Sequence, residues 1–241
     1  MFERPHHRRI ARVLQALDGG RLRALGCLFG GGTAIALRYG EYRESVDIDF
    51  LVSDPAGYRQ LRALLAGAND IVALQRDGAM PLGLARDIRG DQYGLRTVLL
   101  VDEVRIKFEI VFEARIELAP PRRNDDICGV ATLVPMDLAA SKLLANCDRW
   151  RDDSVFSRDV IDLAMMDLPP RALRPAMEKA TTAYGEAVLA SLRLALDGLD
   201  TRPGYLQRCL AAMAMDMQPA ALHQRLRVLR RRVERVAMAR L

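Results

Sequence analysis

Two aspartates separated by one residue stand at the start of an apolar segment in the first quarter of the chain. The segment Val46-Asp47-Ile48-Asp49-Phe50-Leu51-Val52 begins with strict alternation and ends as an apolar run, which predicts a β-strand with one buried end. Residues two apart on a strand share a face, so Asp47 and Asp49 are expected side by side, about 6.5–7 Å apart at the backbone. Adjacent carboxylates on a rigid strand are suited to hold a hard divalent cation together with the phosphate oxygens of a substrate.

A further carboxylate stands on a later predicted strand. Segments 95–101 and 104–112 both have strand character, and Asp102-Glu103 between them predicts a tight hairpin turn. Alternation in the second segment places Lys107 and Glu109 on its polar face. Glu109 supplies a third oxygen ligand if its strand pairs with the strand of Asp47 and Asp49. Alternatively, Lys107 and Glu109 form a charged strand face that is only solvated. Three such carboxylates suit metal-assisted nucleotidyl or phosphoryl transfer.

A glycine turn precedes the two aspartates. Gly30-Gly31-Gly32-Thr33 follows a short apolar segment, 25–29, and precedes a predicted helix over 34–39. Such a turn lets backbone N–H groups and the positive end of a helix meet a phosphate without obstructing side chains. The turn matches neither the dinucleotide-binding fingerprint nor the P-loop, so the order of the parts is more informative than the glycines.

Taken together, these segments resemble the DNA polymerase beta-like nucleotidyltransferase superfamily and, within it, the AbiEii/AbiGii toxin family. The resemblance rests first on Gly31-Gly32-Thr33-Ala34 and on the runs 43–50 (Arg-Glu-Ser-Val-Asp-Ile-Asp-Phe) and 106–110 (Ile-Lys-Phe-Glu-Ile). A second block consists of 141–145 (Ser-Lys-Leu-Leu-Ala) and 158–163 (Arg-Asp-Val-Ile-Asp-Leu). It resembles the family's lysine on one helix and its Arg-Asp-x-x-Asp-Leu run on the next. The resemblance covers about residues 25 to 163.

The resemblance implies metal-dependent transfer of a nucleoside monophosphate from an NTP to an acceptor, the 3′ end of tRNA in related toxins. The expected fold is α/β, with a polymerase-beta-like domain whose mixed sheet is flanked by helices over residues 1–130. A helical domain over residues 131–241 is expected to follow, with breaks at Pro169-Pro170, around Gly198 and at Pro219. The implied cofactor is Mg²⁺ or Mn²⁺, and a toxin–antitoxin or abortive-infection system allows for an antitoxin partner.

By motif, the resemblance assigns individual roles. The expected catalytic residues are Asp47, Asp49, Glu109, Lys142 and Asp159, of which Asp47, Asp49 and Glu109 would be the metal ligands. The expected nucleotide-binding residues are Gly31, Gly32, Thr33, Arg43, Ser45 and Lys142. Lys142 would contact triphosphate oxygens as a mobile point charge.

Each assignment has a structural alternative. Arg43 either binds phosphate or braces the end of the strand, and Ser45 is expected to hydrogen-bond the turn. Lys142 can instead lie along an amphipathic helix, and Asp159 and Asp162, one turn apart, can form ion pairs with arginines. Two other functions stay open: nucleotidylation of a protein or small-molecule hydroxyl, and a catalytically silent nucleotide-binding or interaction module. The complete carboxylate set argues against the silent module, because clustered carboxylates repel one another without a metal.

Composition excludes several other classes. The 241 residues are 50% hydrophobic with a net charge of +5, enough for a sizeable core and too apolar for a disordered chain. The three histidines lie near the chain ends, which disfavours a Ser-His-Asp triad, and the four scattered cysteines disfavour zinc. The N-terminal segment lacks the apolar core of a signal peptide, and no long apolar stretch is present, so a cytoplasmic protein without a membrane partner is expected.

The last predicted helix is rich in arginine. Five apolar residues recur there at helical spacing: Leu222, Leu226, Leu229, Val233 and Val236. Six arginines lie mostly around them: Arg225, Arg227, Arg230, Arg231, Arg232 and Arg235. Because arginine is the prevailing cation of this chain, a solvated face is the favoured interpretation, and contact with an RNA backbone is the alternative.

Overall fold

The computed structural model describes residues 2–68 and 70–238, which form two compact units. Unit 1 consists of the described residues up to Glu41 together with Ser45–Val134. Unit 2 consists of Tyr42–Glu44 and the described part of 135–241. The three-residue segment Tyr42–Glu44 therefore belongs to a different unit from the residues on either side of it.

Unit 1 combines helices with a mixed sheet. Its helices are α1 (Pro5–Ala16), α2 (Gly19–Ala24), α3 (Gly31–Arg38) and α4 (Pro55–Ala68). Its strands are β1 (Leu28–Phe29), β2 (Ile48–Val52), β3 (Gly83–Gly90), β4 (Gly94–Val101), β5 (Val104–Phe112), β6 (Asp126–Ile127) and β7 (Val130–Ala131). The main sheet has the order β1-β2-β5-β4-β3, in which β2 and β5 are parallel and the other pairs are antiparallel. Strands β6 and β7 form a separate small sheet.

Aromatic packing holds the centre of the main sheet. The rings of Phe29, Phe50 and Phe108 come from the neighbouring strands β1, β2 and β5, and their successive centroids lie 5.5 and 5.6 Å apart. All three side chains are buried, as are Ile48 and Ile110 on the same strands. Buried residues alternate with polar ones at the start of β2 and in the middle of β5, which places Asp49, Lys107 and Glu109 on the other face of the sheet.

The described part of unit 2 is helical. Its helices are α5 (Pro135–Arg149), α6 (Arg158–Met166), α7 (Pro170–Tyr184), α8 (Ala187–Thr201), α9 (Tyr205–Ala212) and α10 (Pro219–Met238). Helix α5 is central, since it contacts α6, α7 and α8. Its apolar residues Leu138, Leu143 and Leu144 are buried against them.

The predicted α/β class with a mixed sheet and a following helical part is confirmed, but several local predictions were wrong. β2 begins at Ile48, two residues after the start of the predicted strand, and Val46 is 49% exposed. A break was predicted around Gly198, which itself lies inside α8; that helix ends at Thr201, and the break before α9 falls at residues 202–204. A further break, at Gly185 with its φ of +62° between α7 and α8, was not predicted. Breaks before Pro170 and at Pro219 are confirmed.

Candidate active site

The sheet brings Asp49 and Glu109 side by side. Strands β2 and β5 are parallel, with Asp49 in register with Glu109. Register partners on adjacent strands point to the same face, and the strands lie about 4.8 Å apart. Asp47 precedes the strand by one residue, and Asp47, Asp49 and Glu109 are each half-buried. Unit 1 therefore collects the three predicted carboxylates, here called the carboxylate cluster, around the start of β2.

Glu109 also has two cationic neighbours. Its Oε2 lies 2.7 Å from Lys107 Nζ, and its Oε1 lies 3.2 Å from Arg96 Nε. Arg96 is the register partner of Glu109 on β4, and its guanidinium also contacts Asp91 at 3.1 Å. Both cations are substantially exposed, so water screens these pairs and each stabilises the fold by about 1 kcal/mol or less. The same contacts can therefore be exchanged at little cost when another cation approaches Glu109.

The glycine turn lies directly against Asp49. Gly31 has a φ of +66°, and a Cβ placed on it would lie 2.3 Å from Asp49 Oδ2 and 2.9 Å from Asp49 Cβ. Gly30 N donates to the Asp49 backbone oxygen at 2.8 Å. Gly31 is also the first residue of α3, whose first-turn N–H groups have no partner within the helix. The turn therefore puts an anion-attracting helix end beside a carboxylate, with no side chain in between.

Thr33 and Ser45 fix the backbone next to Asp47. The Thr33 hydroxyl lies 2.8 Å from Ser45 Oγ and 2.5 Å from the Asp47 backbone oxygen. Both Thr33 and Ser45 are buried. The structure thus uses these two hydroxyls to join the first turn of α3 to the residues that lead into β2.

A buried histidine supports the same segment, and the sequence analysis missed it. His7 Nε2 accepts from Ser45 N at 3.0 Å, and His7 Nδ1 lies 2.7 Å from Glu41 Oε1. Since Nε2 is an acceptor here, the proton is on Nδ1 and is donated to Glu41. The signal was available, because His7 stands at helical spacing from the buried Ile10 and Leu14 of α1.

The donor chemistry of the carboxylate cluster fits a divalent metal, although the cluster is not a closed site. In residues 2–68 and 70–238, no three His, Cys, Asp or Glu side chains lie close enough together to hold a metal ion. Mg²⁺ commonly takes only one or two protein carboxylates and completes its shell with phosphate oxygens and water. Asp47 and Asp49 match that requirement, and the first turn of α3, whose N–H groups can bind phosphate, lies directly beside Asp49.

Unit 2 contains a second charged group, built around Asp162. Arg43 donates to Asp162 with two nitrogens, Nε to Oδ1 at 2.7 Å and Nη2 to Oδ2 at 3.0 Å. Tyr42 adds its hydroxyl to the same carboxylate, and Arg43 Nη1 donates to the Glu44 backbone oxygen at 2.9 Å. Arg43 and Asp162 are 5% and 0% exposed at the side chain, so this two-pronged pair is removed from water.

Lys142 joins Asp162 to Asp159. Its Nζ lies 2.7 Å from Asp162 Oδ2 and 2.9 Å from Asp159 Oδ1. Arg149 closes the group with two further bonds to Asp159, at 2.7 and 2.9 Å. Five residues thus form one ion-pair network, here called the buried ion-pair network because all but the half-exposed Arg149 are buried: Arg43, Asp162, Lys142, Asp159 and Arg149. It brings together the predicted Lys142, Asp159 and Arg43, and it adds Asp162 and Arg149, in line with the alternative that the two aspartates form ion pairs with arginines.

The network keeps both of its aspartates ionised. Burial alone would raise the pKa of Asp162, but Arg43 and Lys142 lower it below the ordinary value. Burial also raises the pKa of Asp159, but Lys142 and Arg149 outweigh burial and hold that pKa well below its ordinary value. Burial would lower the pKa of Arg43, yet Asp162 raises it. Three cations against two carboxylates leave the network with one excess positive charge.

Comparison with known proteins decides the family. The family model for the nucleotidyl transferase AbiEii toxin of type IV toxin–antitoxin systems matches residues 13–229. The chain belongs to this AbiEii family. The match spans both units, including the carboxylate cluster and the buried ion-pair network. Among curated proteins, no sequence matches this AbiEii-family chain.

Two solved structures share the fold of this AbiEii-family chain. A Helicobacter pylori protein described as a "putative nucleotidyltransferase" is 14% identical, with a TM-score of 0.54 over 97% of this chain and 96% of its own. The protein JHP933 from Helicobacter pylori is 15% identical, with a TM-score of 0.54 over 97% of this chain and 93% of its own. Within the described residues, no helix is both long and apolar enough to cross a membrane.

Proposed function

We propose that this AbiEii-family protein transfers a nucleoside monophosphate from an NTP to the 3′ end of tRNA, using Mg²⁺ or Mn²⁺, as a toxin held in check by an antitoxin. We place the reaction in the cytoplasm, where NTPs and tRNA are both available. The observation that supports this most directly is the Asp49 carboxylate, which lies against Gly31 at the N-terminal end of α3 and in register with Glu109. Phosphate-binding and metal-binding chemistry are thereby adjacent.

In this proposal the residues of unit 1 hold the reacting groups. Asp47 and Asp49 hold the metal, and Glu109 completes the set of carboxylates after exchanging its contact with Lys107. A bound divalent metal would neutralise charge on the phosphates and favour departure of pyrophosphate. Backbone N–H groups of Gly31 and Gly32 donate hydrogen bonds to the phosphate, because neither residue has a side chain to obstruct it.

The reaction replaces a phosphoanhydride bond of the NTP by a phosphodiester bond to the acceptor. The 3′ oxygen of the acceptor bonds to the α-phosphorus, the bond from that phosphorus to the leaving pyrophosphate breaks, and the hydroxyl proton is released. The enzyme contributes mainly position and charge to such a step. Thr33 and Ser45 act as positioning residues through the backbone of Asp47, since their hydroxyls are engaged there.

Unit 2 contributes Lys142, which we assign to the triphosphate. Its ammonium group has three N–H bonds, and two of them point to Asp159 and Asp162. The two aspartates hold the ammonium group in place. Arg43 gives all its donor nitrogens to Asp162 and Glu44, so we assign it a positioning role and no contact with phosphate.

The experiment is incubation of the purified protein with Mg²⁺ or Mn²⁺ and each α-labelled NTP in turn, with bulk tRNA and the protein itself as acceptors. Asp49→Asn removes the charge and preserves the shape of the key carboxylate. Asp87→Asn, an exposed aspartate on β3 of the same sheet, is the matched control. The proposal expects label on tRNA from the native protein and from Asp87→Asn, and none from Asp49→Asn.

Other outcomes assign the site differently. Label on protein alone would replace tRNA with a protein hydroxyl as the acceptor. Absence of label on every acceptor, together with no Mg–NTP binding by calorimetry, would leave a nucleotidyltransferase fold without its chemistry. Equal losses of activity and thermal stability in Asp49→Asn would indicate a structural role for Asp49.

A further inference from the structure

Helix α10 has one buried face, and it is the predicted one. Five residues point into unit 2: Leu222, Leu226, Leu229, Val233 and Val236. Helix α10 contacts α6, α7, α8 and α9 through this face. Because one face is fixed in the core, every other residue of the helix has a defined direction relative to it.

Some arginines of α10 are neutralised by neighbours. Arg230 lies 2.8 Å from Asp197 and 3.0 Å from Asp200, both on α8. Arg232 lies 2.5 Å from Asp167, which follows α6. These two arginines flank the buried face and attach the helix to its surroundings, so their charges are already balanced.

Three other arginines form a separate line, here called the arginine stripe: Arg227, Arg231 and Arg235. They recur every four residues, and at 100° per residue they centre on the side opposite the buried face. All three are exposed. No carboxylate of the described residues lies within ion-pair distance of them. The one acid of α10, Glu234, is half-buried at the edge of this face.

The stripe has the dimensions of a short stretch of nucleic acid backbone. Four residues of helix rise about 6 Å, so the stripe spans about 12 Å. Phosphates along one strand of a duplex are spaced about 3.4 Å apart along its axis, so 12 Å covers three to four of them. Guanidinium groups stay charged and match phosphate geometry with paired donors. We propose that the arginine stripe binds the phosphate backbone of the RNA acceptor, an inference that rests on the proposed transfer to tRNA.

An acidic protein partner fits the stripe less well. The centre of a protein interface needs aromatic or large apolar anchors that can be fully desolvated. On the exposed face of α10, Gln224 precedes the three arginines, and among the described residues this face has no aromatic side chain and only Met238 as a large exposed apolar one. Phosphate contacts require only positive charge and hydrogen-bond donors, and they fix the position of the RNA without reading its sequence.

The test replaces the three arginines together by glutamine, a residue that preserves helix propensity. The matched control is Arg59→Gln/Arg62→Gln/Arg76→Gln, which removes the same charge from exposed positions of unit 1. Binding of fluorescent tRNA is followed by anisotropy over a series of salt concentrations, without NTP or metal. Each lost phosphate contact lowers the slope of log K against log salt by about 0.7–0.9, so the stripe variant should lose about 2–2.7 and the control much less.

Transfer of label to tRNA, measured in parallel, separates the inference from the function on which it rests. Equal salt slopes for the stripe variant and the control would overturn the inference, even where the native protein labels tRNA. A lower slope confined to the stripe variant supports it, and absence of label from the native protein would then refute the transfer alone. Polyglutamate, added at the same concentration of charge as the tRNA, is the competitor. If it displaces tRNA from the native protein but not from the stripe variant, the stripe would be reassigned to an acidic protein.

Discussion

Replacement of Gly31 by alanine tests whether the close approach of the glycine turn to Asp49 matters for activity. The new Cβ would lie 2.9 Å from Asp49 Cβ, so rotation of the carboxylate alone cannot relieve the contact. Ordinary carbon contacts are about 3.5 Å or longer, so Asp49 has to move by about 0.6 Å or more relative to the turn. The φ of +66° adds a strain that a glycine does not have.

The strain and the steric contact both lower the stability of the fold, and the displacement of Asp49 lowers the activity. A non-glycine residue at this φ costs about 1–2 kcal/mol of folding free energy. The steric contact adds about 1–3 kcal/mol, as for other overpacked sites. Displacement of a reacting group by about 1 Å costs about 100-fold in rate, so we expect transfer to fall by about that factor. The loss of activity should therefore exceed what partial unfolding produces at the assay temperature.

Gly26→Ala is the matched control, because its φ is +64° and nothing lies within 4 Å of the position of its Cβ. It should lower the melting temperature by about 2–8 °C, in proportion to its 1–2 kcal/mol, and leave transfer intact. Thermal unfolding and transfer of label to RNA are measured on both variants. Full activity in Gly31→Ala, or the same loss in both variants, would refute the role given to the Gly31–Asp49 contact.

Three further predictions concern the buried groups. Asp162→Ala leaves Lys142 and Arg43 without their shared carboxylate. We expect it to lower the free energy of unfolding in urea titrations by about 3–5 kcal/mol, and a loss below about 1 kcal/mol would contradict a buried network. The lowered pKa values of Asp159 and Asp162 stabilise the fold above about pH 4, and that contribution is lost as the pH falls through the folded-state values. Asp159→Asn should therefore make unfolding less dependent on pH below 4 in acid titrations, and an unchanged acid limb would count against it. Thr33→Val should cost about 1–3 kcal/mol and reduce transfer through the backbone of Asp47, whereas retained activity would show that this hydroxyl is dispensable.

The sequence predicted best the elements whose pattern is local. The hairpin of β4 and β5 was predicted with the correct turn, because alternating residues flank Asp102 and Glu103, which adopt φ values of +48° and +64°. That pair of positive φ values is the one a tight two-residue hairpin requires. The placement of Glu109 on the polar face followed from the same alternation, and only its partner strand had to come from the structure.

Other features depend on partners that no local pattern contains. The strand β3 was missed because its register against β4 shifts twice and most of its residues are exposed, so it shows no alternation. Arg43 was left open between phosphate binding and a structural role, since the sequence does not indicate that Asp162 lies opposite it.

The bond between Arg43 and Asp162 also has a consequence for synthesis of the protein. The two residues are 119 positions apart in the chain. At translation rates of about 5–20 residues per second, roughly 6–24 s pass between the addition of Arg43 and that of its acceptor. The hydroxyl of Tyr42 lacks its acceptor for about the same time, because it donates to the same carboxylate. Throughout this interval the nascent chain exposes to solvent a guanidinium and a phenol that the folded protein buries against Asp162.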